Sequence, residues 1–167
     1  MRVLAQFSIL IFSLLFSLTI SAAPNLPKQL ESQIQNLVTL FSDGFAVGYP
    51  DATEFQSFKL AENQELILTV FTVEGLGGGN YWTQYLAAFS KESLENNSAY
   101  YRLIDVIPVG GRSWRAVPKL KAQVFTKPKR KEISIVIDIV ENVGDDAPNF
   151  PSKNGKLKLI LKDGRFI

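Results

Sequence analysis

Arg112, Trp114 and Arg115 lie within four residues of one another, directly after Gly110-Gly111. Two guanidinium donors and one large ring are the residue types that dominate binding hot spots. The glycine pair before them gives the backbone unusual freedom. The chemistry on offer is recognition through hydrogen bonds to an acceptor and a flat apolar face. The competing role is structural, with Trp114 capping a core and the arginines covering it. No set of residues is nominated for catalysis. The chain has no His and no Cys, which removes Ser-His-Asp and Cys-His nucleophilic catalysis and the usual zinc sites. Carboxylates, Lys, Arg, Tyr and hydroxyls remain. A glycosidase carboxylate pair meets only in space, and no spacing along this chain nominates one.

Other motifs resolve toward structure. Glu141, Asp145 and Asp146 have oxygens suited to calcium, but they lack the alternating order of a calcium loop; neither metal nor cofactor is expected. Gly75 to Gly79 follows a strand as phosphate loops do, yet no Gly-Lys-Ser/Thr and no helix signal follow, so a hairpin connection is expected. Lys127, Lys129, Arg130 and Lys131 form the basic cluster; between two strands it reads as a solvated tip rather than a phosphate site. Tyr81, Trp82, Tyr85, Tyr100 and Tyr101 could stack on a sugar or peptide. Strand alternation sends one of Tyr81 and Trp82 inward and the other outward. Asn96-Asn97-Ser98 fits the glycosylation sequon.

These residues need a scaffold, and the chain announces where it works. Arg2 is the sole charge before Lys28, an apolar run spans Ile9 to Phe16, and small residues follow to Ala23. That order describes a secretory signal peptide over 1–22, cleaved around Ala22/Ala23. The apolar run is shorter than the roughly 20 residues of a membrane span, and no cysteine follows it for lipid attachment. The expected product is periplasmic or extracellular and soluble, with no transmembrane segment, unless it lies on a membrane surface. About 145 residues remain, enough for one domain with a substantial core. The 18 basic and 16 acidic residues of the whole chain become nearly balanced once Arg2 leaves. Such balance gives no general drive toward nucleic acid or anionic membrane.

The expected architecture over 23–167 is a single α+β domain: an amphipathic helix packed on a curved antiparallel sheet of about seven strands. Asn25 is a cap candidate and Pro27 a first-turn residue. Leu30, Ile34, Leu37, Val38 and Phe41 repeat at helical spacing, and Ser42-Asp43-Gly44 stops the helix. Strands follow at Phe58 and Leu60, 66–73, 80–90, 100–107, 112–117, 120–126, 132–140 and 156–162, with turns at 62–65, at Pro108 and Gly110-Gly111, and at Asp163-Gly164. The nearly all-apolar 132–140 strand is expected to be covered on both faces, and Leu37 and Ile137 to share one core.

The segments Gly77-Gly78-Gly79-Asn80-Tyr81-Trp82, Leu86-Ala87-Ala88-Phe89, Gly110-Gly111-Arg112 and Asp146-Ala147-Pro148-Asn149-Phe150-Pro151-Ser152 occur in an order that resembles a widespread group of uncharacterised secreted bacterial proteins. The resemblance covers residues 58–167. Members carry a Gly-rich turn, a Leu-Ala-x-Phe strand, a Gly-Asp-Arg turn and an Asp-x-x-Cys-Cys-Pro-Ser loop. Here Asn149-Phe150 stands for the cysteine pair, Gly111 for the acidic turn residue, and no metal-like acidic segment is evident at Glu62 to Glu65. The resemblance implies a small envelope β domain and no activity. The expected function is a non-catalytic binding protein of the bacterial envelope whose partner is an envelope protein or a cell-wall component. The alternatives are a carboxylate-dependent hydrolase of envelope glycan, and an inhibitor or immunity protein of a secreted enzyme.

Overall fold

The computed structural model describes residues 26–62, 64–93, 99–127 and 131–167. The expected signal segment, Asn25, Lys129, Arg130 and the Asn96-Asn97-Ser98 sequon lie outside these residues. The helix α1 runs Lys28–Phe41 and buries Leu30, Ile34, Leu37 and Val38. Pro27 precedes it rather than opening its first turn. Its ψ of 132° is extended, and its carbonyl accepts the Glu31 N–H at 2.9 Å.

Ten strands form one antiparallel sheet among the described residues. They are β1 (Val47–Gly48), β2 (Glu54–Ala61), β3 (Gln64–Leu76), β4 (Tyr81–Ser93), β5 (Ala99–Gly111), β6 (Arg115–Ala116), β7 (Ala122–Lys127), β8 (Glu132–Glu141), β9 (Lys153–Lys162) and β10 (Arg165–Phe166). The hydrogen-bonded order is β1-β3-β4-β5-β6-β8-β9-β10. The strand β2 shares the β3 edge with β1, and β7 shares the β8 edge with β6. The molecule is thus sheet-dominated, with one helix and ten strands where an α+β fold with about seven was expected. Part of the difference is the two-residue strands β1, β6 and β10.

Alternation along the strands builds two cores. Leu66, Leu68 and Val70 of β3, with Leu86 and Ala88 of β4, pack against Ile135, Ile137 and Ile139 of β8 and Leu157 and Leu161 of β9. The intervening residues Ile67, Phe71, Val73, Ala87 and Phe89 point the other way and receive α1. The sheet therefore folds over on itself, and β3–β4–β5 is a wall with an apolar core on each side. Leu37 and Ile137 lie in different cores, contrary to the expectation of one. The strand β8 has neighbours along both edges but one covered face: Ile135, Ile137 and Ile139 are buried while Asp138 is exposed. Ser134 and Asp138 between the isoleucines are what leave that second face wet.

Three further boundaries differ from expectation. Glu65 belongs to β3, so the β2–β3 turn is tighter than 62–65. Pro108 and Gly110-Gly111 do not end β5. Register shifts opposite Gln84/Tyr85 and Ala88/Phe89 insert extra residues, and such bulges accept a proline and bend the strand. The stretch 112–117 is not a continuous strand: Arg112–Trp114 is a turn and only Arg115–Ala116 pairs.

Where the folded sheet brings its margins together, side chains seal them. Glu54 Oε2 accepts the Leu120 N–H and Gln56 Oε1 accepts the Ala122 N–H, each at 2.6 Å, joining β2 to β7 and the residues before it. Asp105 Oδ2 accepts the Phe166 N–H at 2.7 Å, joining β5 to β10. Unpaired strand edges invite association; here their amides meet carboxylate and amide oxygens instead.

Candidate binding surface

Four connections meet at one end of the folded sheet: α1–β1, β3–β4, β5–β6 and β8–β9. Their contacts define the site. Asp43, just after α1, accepts the Gly77 N–H at 2.7 Å through Oδ2, and the Phe45 and Ala46 N–H groups at 2.9 Å through Oδ1. The β3–β4 turn takes up left-handed backbone at Gly75, Gly77 and Gly78, a conformation glycine adopts without steric cost. The Phe45 ring lies over Gly78, and the Tyr81 ring lies beside Gly79. The β5–β6 turn is pinned to the β8–β9 loop: Ser113 N–H donates to Pro148 O at 2.7 Å, and Asn142 N–H to Trp114 O at 2.8 Å. Trp82 Nε1 donates to Asn149 Oδ1 at 3.0 Å.

The structure brings Arg112, Trp114 and Arg115 together with partners from elsewhere in the chain. Trp114 is 45% exposed and Tyr81 56%. The Arg115 guanidinium lies 4.0 Å from the Trp114 ring centroid, and Arg112 lies 4.8 Å from that of Tyr81. Such stacking is attractive and leaves the outer donors of each guanidinium free to bind. Arg115 Nε is committed to Val109 O at 2.8 Å. Burial pulls Arg115 below its ordinary range, and Glu141 opposes that shift; an arginine still carries its charge at neutral pH. Arg112 Nε is buried without a hydrogen-bond partner. Among the described residues neither arginine makes a salt bridge. A shallow cleft of about 570 Å³ runs between these side chains, walled by Leu76, Tyr81, Trp82, Pro108, Arg112 and Trp114. No carboxylate lines it.

Gly110 and Gly111 do not act as a flexible joint. Neither adopts positive φ; Ser113 does, at 58°. Gly110 is needed because β5 and β6 approach too closely there for a side chain.

The remaining candidates do not line this cleft. Glu141 faces Lys153 at 3.9 Å, and Asp146 Oδ2 accepts the Val143 N–H, the Ser152 N–H and the Ser152 hydroxyl, so Asp146 shapes its own loop. Among the described residues no group of three His, Cys, Asp or Glu is placed to hold a metal. Lys127 and Lys131 are exposed at the β7–β8 connection. Tyr85 is stacked on Phe41 in the helix core, at 4.4 Å between centroids, and Tyr101 is buried there too. Tyr100 is exposed near the opposite end. That end is ion-paired: Lys91 with Glu65 at 3.0 Å and Arg102 with Glu92 at 2.7 Å.

Sequence reasoning missed Phe45 and Val143, and it treated Phe150 only as a stand-in for a cysteine. They are 71%, 38% and 75% exposed. Large apolar residues inside turn-rich stretches were the available signal.

Asp43 offers a test of the scaffold. Its carboxyl is held below the ordinary 3.8 by the Gly77 N–H first, then by Phe45, with Ala46 adding to the effect. A depressed folded value means the tether is present above the ordinary value and lost as pH falls through the lower, folded one. In an acid titration the Gly77 amide proton is expected to shift with a midpoint below 3.8, and Asp43→Asn to abolish that step. A midpoint at the ordinary value would show that the tether does not persist in solution.

The segments 77–82, 110–112 and 146–152, distant in the chain, converge on this end of the molecule. Among the described residues no helix is long and apolar enough to cross a membrane. Comparison of the chain with protein-family models, with curated proteins and with solved structures finds no match.

Proposed function

We propose that the chain is an exported, non-catalytic binding protein of the bacterial envelope, and that it binds through the aromatic and arginine end of the sheet. The observation that carries this is the pair of stacked, half-exposed units, Arg112 on Tyr81 and Arg115 on Trp114, flanking an apolar cleft with no carboxylate in it. Half-exposed aromatics stacked with arginines that make no salt bridge among the described residues are the residue types of a binding hot spot. The basic, apolar and small-residue order of the first 23 residues supports export. The test is binding of the mature protein to washed envelope fractions. Trp114→Ala is expected to weaken binding at least about ten-fold, a typical hot-spot loss, with an unchanged thermal melt. Equal binding by the variant would remove this surface from the function.

Hydrolysis of envelope glycan is the second reading, favoured by one observation. A cleft of about 440 Å³ between α1 and the Tyr49–Thr53 connection is lined by both Glu31 and Asp51. Both are exposed, and among the described residues neither side chain is fixed by a hydrogen bond. Release of reducing sugar ends by the wild type, lost in both Glu31→Gln and Asp51→Asn, would replace binding with catalysis.

A further inference from the structure

We propose that the outer face of β7, β8 and β9, with β10 at its margin, is a second interaction surface, and that its occupant is an acidic glycan lying across the strands. The face shares no residue with the aromatic and arginine end. Only the choice of a glycan over a nucleic acid rests on the export proposed above.

The sequence puts cations on this face by alternation. Ile135, Ile137 and Ile139 of β8 and Leu157 and Leu161 of β9 point into the core, so the residues between them point out. The helix packs on the β3–β4–β5 wall instead. Lys127, Glu132, Lys162 and Arg165 form one row across the four strands, and Phe125, Ser134 and Ile160 form the next. Phe125 is 53% exposed. Further along β9, Lys158 lies opposite Val136 and Lys156 opposite Asp138.

The acids of the face are matched and several cations are not. Glu132 pairs with Lys162 at 3.2 Å, and Asp138 with Lys156 at 2.6 Å. Lys156 most, with Lys121 adding, holds the Asp138 carboxyl below its ordinary value, so Lys121 shares this side. Of the acids around the margin, Glu141 lies on the inward alternation beside Ile139, Asp105 accepts the Val106 and Phe166 N–H groups, and Asp163 is exposed in the β9–β10 turn. Against Asp163 stand Lys121, Lys127, Lys158 and Arg165, all exposed and without a salt bridge among the described residues. Arg165 is directly opposite Lys162. Like charges so placed cost stability, and a bound anion relieves that cost.

The shape of the face selects the occupant. From Lys156 to Lys162 it runs about 20 Å along β9, too far for one small anion and within reach of a polymer. Its cations are mostly lysines, compact point charges rather than the planar fork that grips a single oxyanion. A strand face is flat and has no loop tip to enter a bilayer. Phe125 offers a ring, and Gln123 and Asn154 are exposed amides on the same outward alternation, groups suited to sugar rings and hydroxyls.

The experiment titrates the mature protein with polygalacturonate, a linear acidic glycan, and with neutral dextran. Wild type is expected to bind polygalacturonate alone, with affinity falling as salt rises. Lys158→Gln with Arg165→Gln is expected to weaken binding about ten-fold, since the lost contacts no longer displace counterions. Lys28→Gln with Lys59→Gln removes the same charge from exposed positions of α1 and β2 and should bind as wild type does. Phe125→Ala is expected to weaken polygalacturonate binding and to leave inorganic polyphosphate, which has no sugar ring, unaffected. Absence of binding overturns the inference, as do equal losses in the two charge variants or equal binding of dextran. Tighter binding of duplex DNA or of phosphatidylglycerol vesicles through Lys158 and Arg165 overturns the glycan as occupant. Loss of polygalacturonate binding in Trp114→Ala would show one surface in place of two, overturning this inference while the proposed function stands. Failure of envelope binding to depend on Trp114 would remove the proposed site and leave this face as it is.

Discussion

Leu37→Ala and Ile137→Ala, made together, are expected to destabilise the protein by the plain sum of their single effects. Each alone should cost about 2–5 kcal/mol, the usual range for truncating a buried aliphatic side chain to Ala. Leu37 is 7% exposed on the buried face of α1, and Ile137 is fully buried between the two halves of the sheet. The β3–β4–β5 wall stands between them. Packed layers sit about 10 Å apart, and residues that share no partner at such distances act independently to within about 0.5 kcal/mol. Urea unfolding of wild type, both singles and the double closes the cycle. A coupling well beyond that limit would show that the two side chains feel one cavity and that the wall is not continuous.

Gly110→Ala is expected to lower stability by about 1–3 kcal/mol, the typical cost of overpacking, and to disturb the binding surface as well. An added Cβ would lie 2.7 Å from Arg115 O and 2.8 Å from Gln84 Oε1. The first of these is backbone and cannot swing aside. The second belongs to a side chain that holds Val117 from both sides, accepting its N–H at 2.7 Å and donating to its carbonyl at 3.2 Å. Relief therefore requires β6 to move from β5 or Gln84 to release Val117. Arg115 would move with β6, along with its bond to Val109 and its stack on Trp114. Gly111→Ala is the internal comparison, since its Cβ would meet only Trp82 O at 3.2 Å. Equal melting of Gly110→Ala and wild type would show that this hairpin has slack.

The helix and the strands β8 and β9 were legible because their apolar residues recur at the period of the element, and β3 because it is a nearly unbroken run of β-branched and other apolar residues. The Asp163-Gly164 hairpin was legible for a different reason: both residues carry positive φ, 49° and 77°, which a two-residue type I′ turn requires. The reach of β5 past Pro108 was not legible, because bulges are set by the partner strand and leave no local pattern. Nor was the folding over of the sheet. It shows in residues such as Glu54 and Asp105, which look like ordinary surface acids until the amides they accept, Leu120 and Phe166, come into view. At the site, Arg112, Trp114 and Arg115 stood out by type and proximity. Their assembly with Tyr81 and Phe45 depends on connections that are distant in the chain.

The margins of the sheet also bear on the order in which this molecule takes shape. Glu54 and Leu120 are 66 residues apart, and Asp105 and Phe166 are 61 apart. Hairpins such as β3–β4 and β9–β10 close short loops and can form in microseconds. The sealing bonds come within reach only after both halves of the sheet exist and have met. Chains dominated by such remote pairings fold in milliseconds to seconds. Throughout that interval β2, β7 and β10 present open edges, and neighbouring chains compete for them with the oxygens of Glu54, Gln56 and Asp105. Those three side chains thus guard the last stage of folding, when intermolecular pairing is the main hazard.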